Sequence, residues 1–191
     1  IPSPFYDDTD YTPSGRYQWG AERYTCKLAN LARVLDEMNA DVAGLAEVGS
    51  ETAVRDLVCT LRTDYNYIHH TSSDYRGMDV VLLYKGDVFV PERSALIKSG
   101  SSREFLYIKG ELYGERVDII VVHMPSQLNK EAARTRTMAA LYACADSLHN
   151  ADPSCRLIIA GDFNADPGDK LMKRIFHTGK RLPSMSRPLF S

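Results

Sequence analysis

Residues 156–167 read Arg156-Leu157-Ile158-Ile159-Ala160-Gly161-Asp162-Phe163-Asn164-Ala165-Asp166-Pro167. Arg156 to Ala160 is a short apolar run of the kind that forms a buried strand. Gly161 lets the backbone turn or come close to a ligand. Asp162 and Asn164 alternate along the chain, so extended backbone points both to one side. Pro167 and Gly168 close the segment. A carboxylate and a carboxamide are thus delivered at a strand's C-terminal end, where open α/β sheets bind ligands. A carboxylate holds a hard metal or orients a water, and an amide hydrogen-bonds a phosphate oxygen. The plainer alternative is a polar turn after a strand.

Outward from this stretch the chain alternates strand and helix patterns. Asn129 to Leu148 reads as a long helix with Ala, Leu and Met on its inner face, and Lys170 to Phe176 as a helical turn. Glu104 to Leu112 and Arg116 to His123 flank Tyr113-Gly114-Glu115 and suit an antiparallel hairpin. Met78 to Tyr84 is an apolar strand, with Asp87 to Lys98 as its expected hairpin partner. Tyr65 to His70 is a short strand, and Ser50 suits the N-cap of a helix running to about Leu61. Asp41 to Val48 reads as a buried strand, and Ala21 to Met38 as a helix carrying Leu28, Leu31, Val34, Leu35 and Met38. Residues 1–20 read as an irregular surface segment, and 177–191 as a basic tail rich in Pro and Ser. Hairpins and βαβ-like connections together imply an α/β (α+β) fold of mixed sheets covered by helices. No repeat or linker divides residues 1–191, so one domain is expected.

Bulk properties narrow the function. The 191 residues suffice for a sizeable core, and the net charge of −2 indicates no general electrostatic grip on nucleic acid. Any affinity for phosphate must be local or borne by a metal. No apolar run reaches the length of a membrane span. The N-terminus lacks the regions of a signal peptide, although removal of one from a precursor leaves both cytoplasmic and exported locations open. Cys26, Cys59, Cys144 and Cys155 form no CxxC pair and are expected to be buried free thiols. No obligate protein partner is indicated.

Three further strand ends carry polar groups. Glu47, in Leu45-Ala46-Glu47-Val48-Gly49, follows an apolar run and suits a metal-binding carboxylate or a solvated loop residue. Asp79, in Arg76-Gly77-Met78-Asp79-Val80-Val81-Leu82-Leu83-Tyr84, opens a very apolar strand, an expensive place for an unpaired charge. Arg76 is near enough to pair with it. His123 ends Ile119-Ile120-Val121-Val122-His123 before Met124-Pro125-Ser126, and gains functional weight if the other groups converge on it.

In this chain order, Glu47, Asp79, His123 and Asp162 with Asn164 resemble the endonuclease/exonuclease/phosphatase superfamily. Its members include pancreatic deoxyribonuclease, exonuclease III-like repair nucleases, inositol polyphosphate phosphatases and bacterial sphingomyelinases. The resemblance covers roughly residues 16–170, and the segments from Tyr11 to Leu35 and around Arg76 to Asp79 look most like a bacterial branch of undefined substrate. It implies a DNase I-like four-layer sandwich, two mixed β-sheets packed face to face and flanked by helices. It also implies Mg²⁺-dependent (or Mn²⁺-dependent) hydrolysis of a phosphodiester or phosphomonoester, most like a nuclease. Glu47 would bind the metal and Asp162 would orient or deprotonate the attacking water. Asn164 would hydrogen-bond the phosphate, and Arg76 would add a phosphate contact. His123 would donate to a phosphoryl oxygen or act as an acid, with Asp79 holding its tautomer.

The chain also departs from the family pattern. No Asn-bearing strand precedes the first helix, and no Asp-His pair follows Asn164; His177 lies in His-Thr-Gly and does not take that role. Many relatives have a basic residue near the place of Ser126-Gln127. The expectation is a partial chain, trimmed at both ends, with little activity alone while its parent is active. The alternatives are an inactive remnant or binding module of the same fold, and a phosphoinositide or sphingolipid headgroup as substrate.

Overall fold

The computed structural model describes residues 9–74 and 78–176. Its elements are α1 (Ala21–Met38), β1 (Val42–Val48), α2 (Glu51–Thr60), β2 (Asn66–His69), β3 (Asp79–Tyr84), β4 (Phe89–Ile97), β5 (Phe105–Leu112), β6 (Glu115–His123), α3 (Glu131–Ala151), β7 (Arg156–Asp162) and α4 (Lys170–Phe176). A 3₁₀ turn at Thr9–Tyr11 precedes them.

Local chemistry explains most of the boundaries. The Ser50 side chain accepts a hydrogen bond from the Ala53 amide at 3.2 Å and starts α2. Asn39 adopts the left-handed conformation and donates its N–H to the Leu35 carbonyl, which stops α1. The inner stripe of α1 is Tyr24, Leu28, Ala32 and Leu35, whereas Val34 and Met38 face solvent. The stripe therefore begins one turn earlier than the aliphatic spacing suggests, because Tyr24 supplies its first position.

The strands form two sheets. The first, in the order β1-β3-β2, is antiparallel throughout. The second, in the order β4-β5-β6-β7, is antiparallel except that β6 and β7 run parallel, joined by the α3 crossover. The expected hairpin between β3 and β4 does not form. Val42 of β1 and Asn66 of β2 both register with Tyr84, so β3 has no free edge and β4 crosses to the second sheet.

Alternation along β3 shows how the layers stack. Val81 and Leu83 pack with Leu28, Leu35, Val54 and Leu57 of the two N-terminal helices. Val80 and Leu82 face Leu106, Ile108, Ile119 and Val121 of the second sheet. Phe105, Ile120 and Val122 turn outward against Met138, Leu141, Leu171 and Met172 of α3 and α4. The result is helix, sheet, sheet, helix. Gly44 of β1 crosses β6 so closely that a Cβ there would stand 3.1 Å from Val121 Cγ1.

All four cysteines are free, but none is fully buried. Cys26 and Cys59 are exposed, and Cys144 and Cys155 are partly covered. Cys26 lies between the buried positions Tyr24 and Leu28 of α1, on the outward side. Among the described residues no helix is long and apolar enough to cross a membrane.

Candidate active site

Three strand ends meet at one end of the sandwich. His123 closes β6 and Asp162 closes β7, and the two register as neighbours in the parallel ladder. Gly161 (φ +135) makes this neighbourhood possible, since a Cβ at that position would run into the backbone of Val122. Glu47 enters from the first sheet. The pairing of β1 with β3 is irregular between Leu45 and Val48, and there Glu47 takes φ +58. A left-handed non-glycine residue costs about 1 kcal/mol or more, a strain that tends to sit at functional sites. The irregularity turns the carboxylate off the sheet toward His123.

The geometry sets two carboxylates near one imidazole nitrogen. His123 Nε2 lies 3.8 Å from Glu47 Oε1 and 4.0 Å from Asp162 Oδ2. The His123 side chain is only 5% exposed, whereas those of Glu47 and Asp162 are 60% and 50% exposed. A shielded ring thus faces an accessible acidic mouth. Asn164 joins this cluster through a turn rather than through strand alternation. It has φ +47, its amide donates to Asp162 Oδ1 at 2.8 Å, and its Nδ2 donates to the Met124 carbonyl at 2.8 Å. The side chain of Asn164 therefore braces the end of β6 against the end of β7.

Asp79 does not hold His123. Its Oδ2 is 2.8 Å from His69 Nε2, and its Oδ1 accepts from the Ser72 amide at 3.0 Å and hydroxyl at 2.6 Å. The reason is the pleat: Asp79 shares a strand face with Val81 and Leu83, which look toward the N-terminal helices, while His123 belongs to the opposite sheet. Its predicted partner Arg76 lies outside the described residues, as does His177.

The model of the endonuclease/exonuclease/phosphatase family matches residues 1–189. The chain belongs to this family. Solved structures of similar fold include a truncated TDP2 from Caenorhabditis elegans, with a TM-score of 0.64 and 18% identity over 86% of this chain and 61% of that one. A mannosyl-6-phosphatase from Bacteroides thetaiotaomicron gives 0.70 and 16%, over 82% and 63%. TDP2 from D. rerio complexed with a single-strand DNA product gives 0.65 and 17%, over 83% and 60%. The chain thus spans about three-fifths of the length of these structures, with 61%, 63% and 60% covered. No curated protein matches it in sequence.

Within this family member, sequence reasoning overlooked His69 and Arg134. His69 is the acid-paired imidazole, and its signal was present: it closes a strand next to the one that Asp79 opens. Arg134 donates to the Asn164 carbonyl at 3.2 Å, a contact between distant segments that no local pattern announces. Among the described residues, no three or more His, Cys, Asp or Glu side chains gather as a metal cage. Mg²⁺ does not need one, because it keeps several waters and takes one or two carboxylates. An accessible oxygen donor such as Glu47 suits that chemistry.

The buried His69–Asp79 pair carries a pH dependence. Burial pushes the Asp79 carboxyl up, but hydrogen bonds from His69 and Ser72 outweigh it and leave the group below its ordinary value. A carboxyl depressed in the folded state adds stability above its unfolded pKa of about 3.9 and loses it as pH falls through the lower folded value. Urea midpoints measured from about pH 6 to about pH 3 should therefore fall less steeply for Asp79→Asn than for the parent. Parallel curves would show that this pair does not contribute to acid sensitivity.

Proposed function

We propose that this chain carries the site of a metal-dependent phosphoesterase, acting on a phosphodiester of the nuclease type. The observation that carries the reading is the imidazole of His123 held 3.8 Å and 4.0 Å from the accessible carboxylates of Glu47 and Asp162. Membership of a family of nucleases and phosphatases supports it. Glu47 would hold Mg²⁺ or Mn²⁺, which screens the phosphoryl oxygens and eases departure of the leaving oxygen. Asp162 orients the attacking water or takes its proton. His123 donates from Nε2 to a phosphoryl oxygen or to the leaving group. Asn164 has one amide hydrogen engaged by Met124 and offers the other to the phosphate. Arg76 is a further phosphate contact by the same reading.

The preference for nucleic acid draws support from the D. rerio TDP2 complex, whose fold is similar and whose ligand is a single-strand DNA product. The net charge of −2 argues that binding rests on these local groups and the metal, not on a basic surface. The test is turnover with Mg²⁺ and with Mn²⁺ by this chain and by the product of the complete reading frame. The panel is single-stranded, plasmid and abasic DNA, a sugar phosphate, inositol phosphates and sphingomyelin. Metal-dependent cleavage of DNA that is lost in His123→Ala is expected. Cleavage of another ester alone redirects the substrate, and no cleavage by either protein rejects the reading.

Metal binding has its own readout. Titration calorimetry should give weak Mg²⁺ binding by the parent and a loss of roughly tenfold or more in Glu47→Ala, since one carboxylate carries most of the protein's share of the site. Equal affinities would remove Glu47 from the metal site.

A further inference from the structure

We propose that Arg134 is a positioning residue, which holds the Asp162–Asn164 turn in register with His123. The proposal rests on the phosphoesterase reading for its kinetic consequence, but not for its structural one.

The place of Arg134 in α3 is the first clue. It lies one turn from the helix start at Glu131, the end where the helix dipole disfavours a cation. Its side chain is nevertheless only 13% exposed. A shielded guanidinium must find acceptors elsewhere. One of its terminal nitrogens donates to the Asn164 carbonyl at 3.2 Å and stands 4.0 Å from Asp169 Oδ2. The other Asp169 oxygen, Oδ1, accepts the Leu171 amide at 2.7 Å, at the start of α4. Arg134 thus reaches both sides of the loop between β7 and α4.

The carbonyl that Arg134 grips belongs to the residue that organises the site. Asn164 sits in left-handed backbone (φ +47), its amide is bonded to the Asp162 carboxylate, and its side chain is bonded to Met124, the residue after His123. A peptide held from one side only can rock about its neighbouring torsions. Arg134 anchors the outer side of a unit whose inner side carries Asp162. Gln127 Nε2 reaches the same carbonyl at 3.5 Å, a longer contact that leaves the guanidinium as the principal anchor. Misplacement of a catalytic group by about 1 Å can cost on the order of 100-fold in rate. The expected signature is therefore a loss in kcat and not in KM.

The experiment compares Arg134→Met with the parent in two ways. Amide hydrogen exchange should quicken at Asn164 by roughly tenfold or more, while amides in the middle of β6 keep their protection. On whichever ester the parent cleaves, kcat should fall by about 10- to 100-fold with KM within about twofold. In an Asp162→Asn background the same change should cost little more, because the group it positions is already disabled. Unchanged Asn164 exchange in a folded variant overturns the proposal. So does an equal rate loss in both backgrounds. If neither this chain nor the product of the complete reading frame cleaves anything, the functional reading fails while the exchange measurement still decides the role of Arg134. If Arg134→Met does not fold, Arg134→Lys, which keeps the cation with a shorter reach, is put through the same comparison.

Discussion

Gly161→Ala is expected to destabilise the protein by about 2–6 kcal/mol, a large part of the stability of an ordinary domain. Two costs combine. The backbone at Gly161 has φ +135, a region that a side chain strains by roughly 1–3 kcal/mol. The new methyl also meets the carbonyl carbon, oxygen and nitrogen of Val122, which are backbone atoms. They cannot move aside freely, because Val122 is the register partner of Gly161 in the parallel ladder. Overpacking of this kind typically adds about 1–3 kcal/mol. Urea unfolding of parent and variant measures the sum, and a change below about 1 kcal/mol would mean that β7 shifts past β6 without cost. The folded remainder should also lose the alignment of Asp162 with His123.

Asp162→Asn is expected to lower phosphoester turnover by about three orders of magnitude, within the range that a positioned acid–base group supplies. The substitution keeps a side-chain oxygen for the Asn164 amide, so the turn survives. What it removes is the negative charge 4.0 Å from His123 Nε2 and the capacity to take a proton from water. Melting temperature should stay within a few degrees while kcat collapses. A variant that retains more than about a tenth of the parent rate would move the role of base to another group. The two variants separate cleanly: the first acts through the fold, the second through chemistry.

The sequence carried the elements further than it carried their partners. Periodicity, apolar runs and a capping signal located the strands and helices, because burial imposes its own pattern on residues such as Leu28, Leu35, Val81 or Met138. They did not show where β4 goes. Pro91 marks an edge strand, yet nothing local says of which sheet, and that choice was made by β1 and β2 when they occupied both sides of β3. The site behaves the same way. Glu47, His123, Asp162 and Asn164 could be named as strand-end groups, since polar residues after apolar runs are conspicuous. The partner of Asp79 was less plain, although His69 closes the strand before the one that Asp79 opens. Whether Asp79 met His123 or His69 depended on which sheet face the pleat presented, and that became definite only once Val81 and Leu83 had been seated under the helices. Arg134 was hidden for a related reason: its acceptor is a backbone carbonyl, which leaves no mark in the sequence.

Each sheet is built from an unbroken length of chain. Residues 21–84 supply α1 to β3, and residues 89–176 supply β4 to α4. Glu47 belongs to the first length, and His123 and Asp162 to the second. Neither half owns the acidic mouth; it exists only while one half is seated on the other, at contacts such as Gly44 on Val121. In folding, each half can gather its own sequence-near contacts without forming the cluster, because the cluster joins residues from both halves. In the folded protein, a small slip of one half over the other dissolves the site while every helix and strand remains. Its survival is governed by the grip between the halves, which can be weaker than the stability of either.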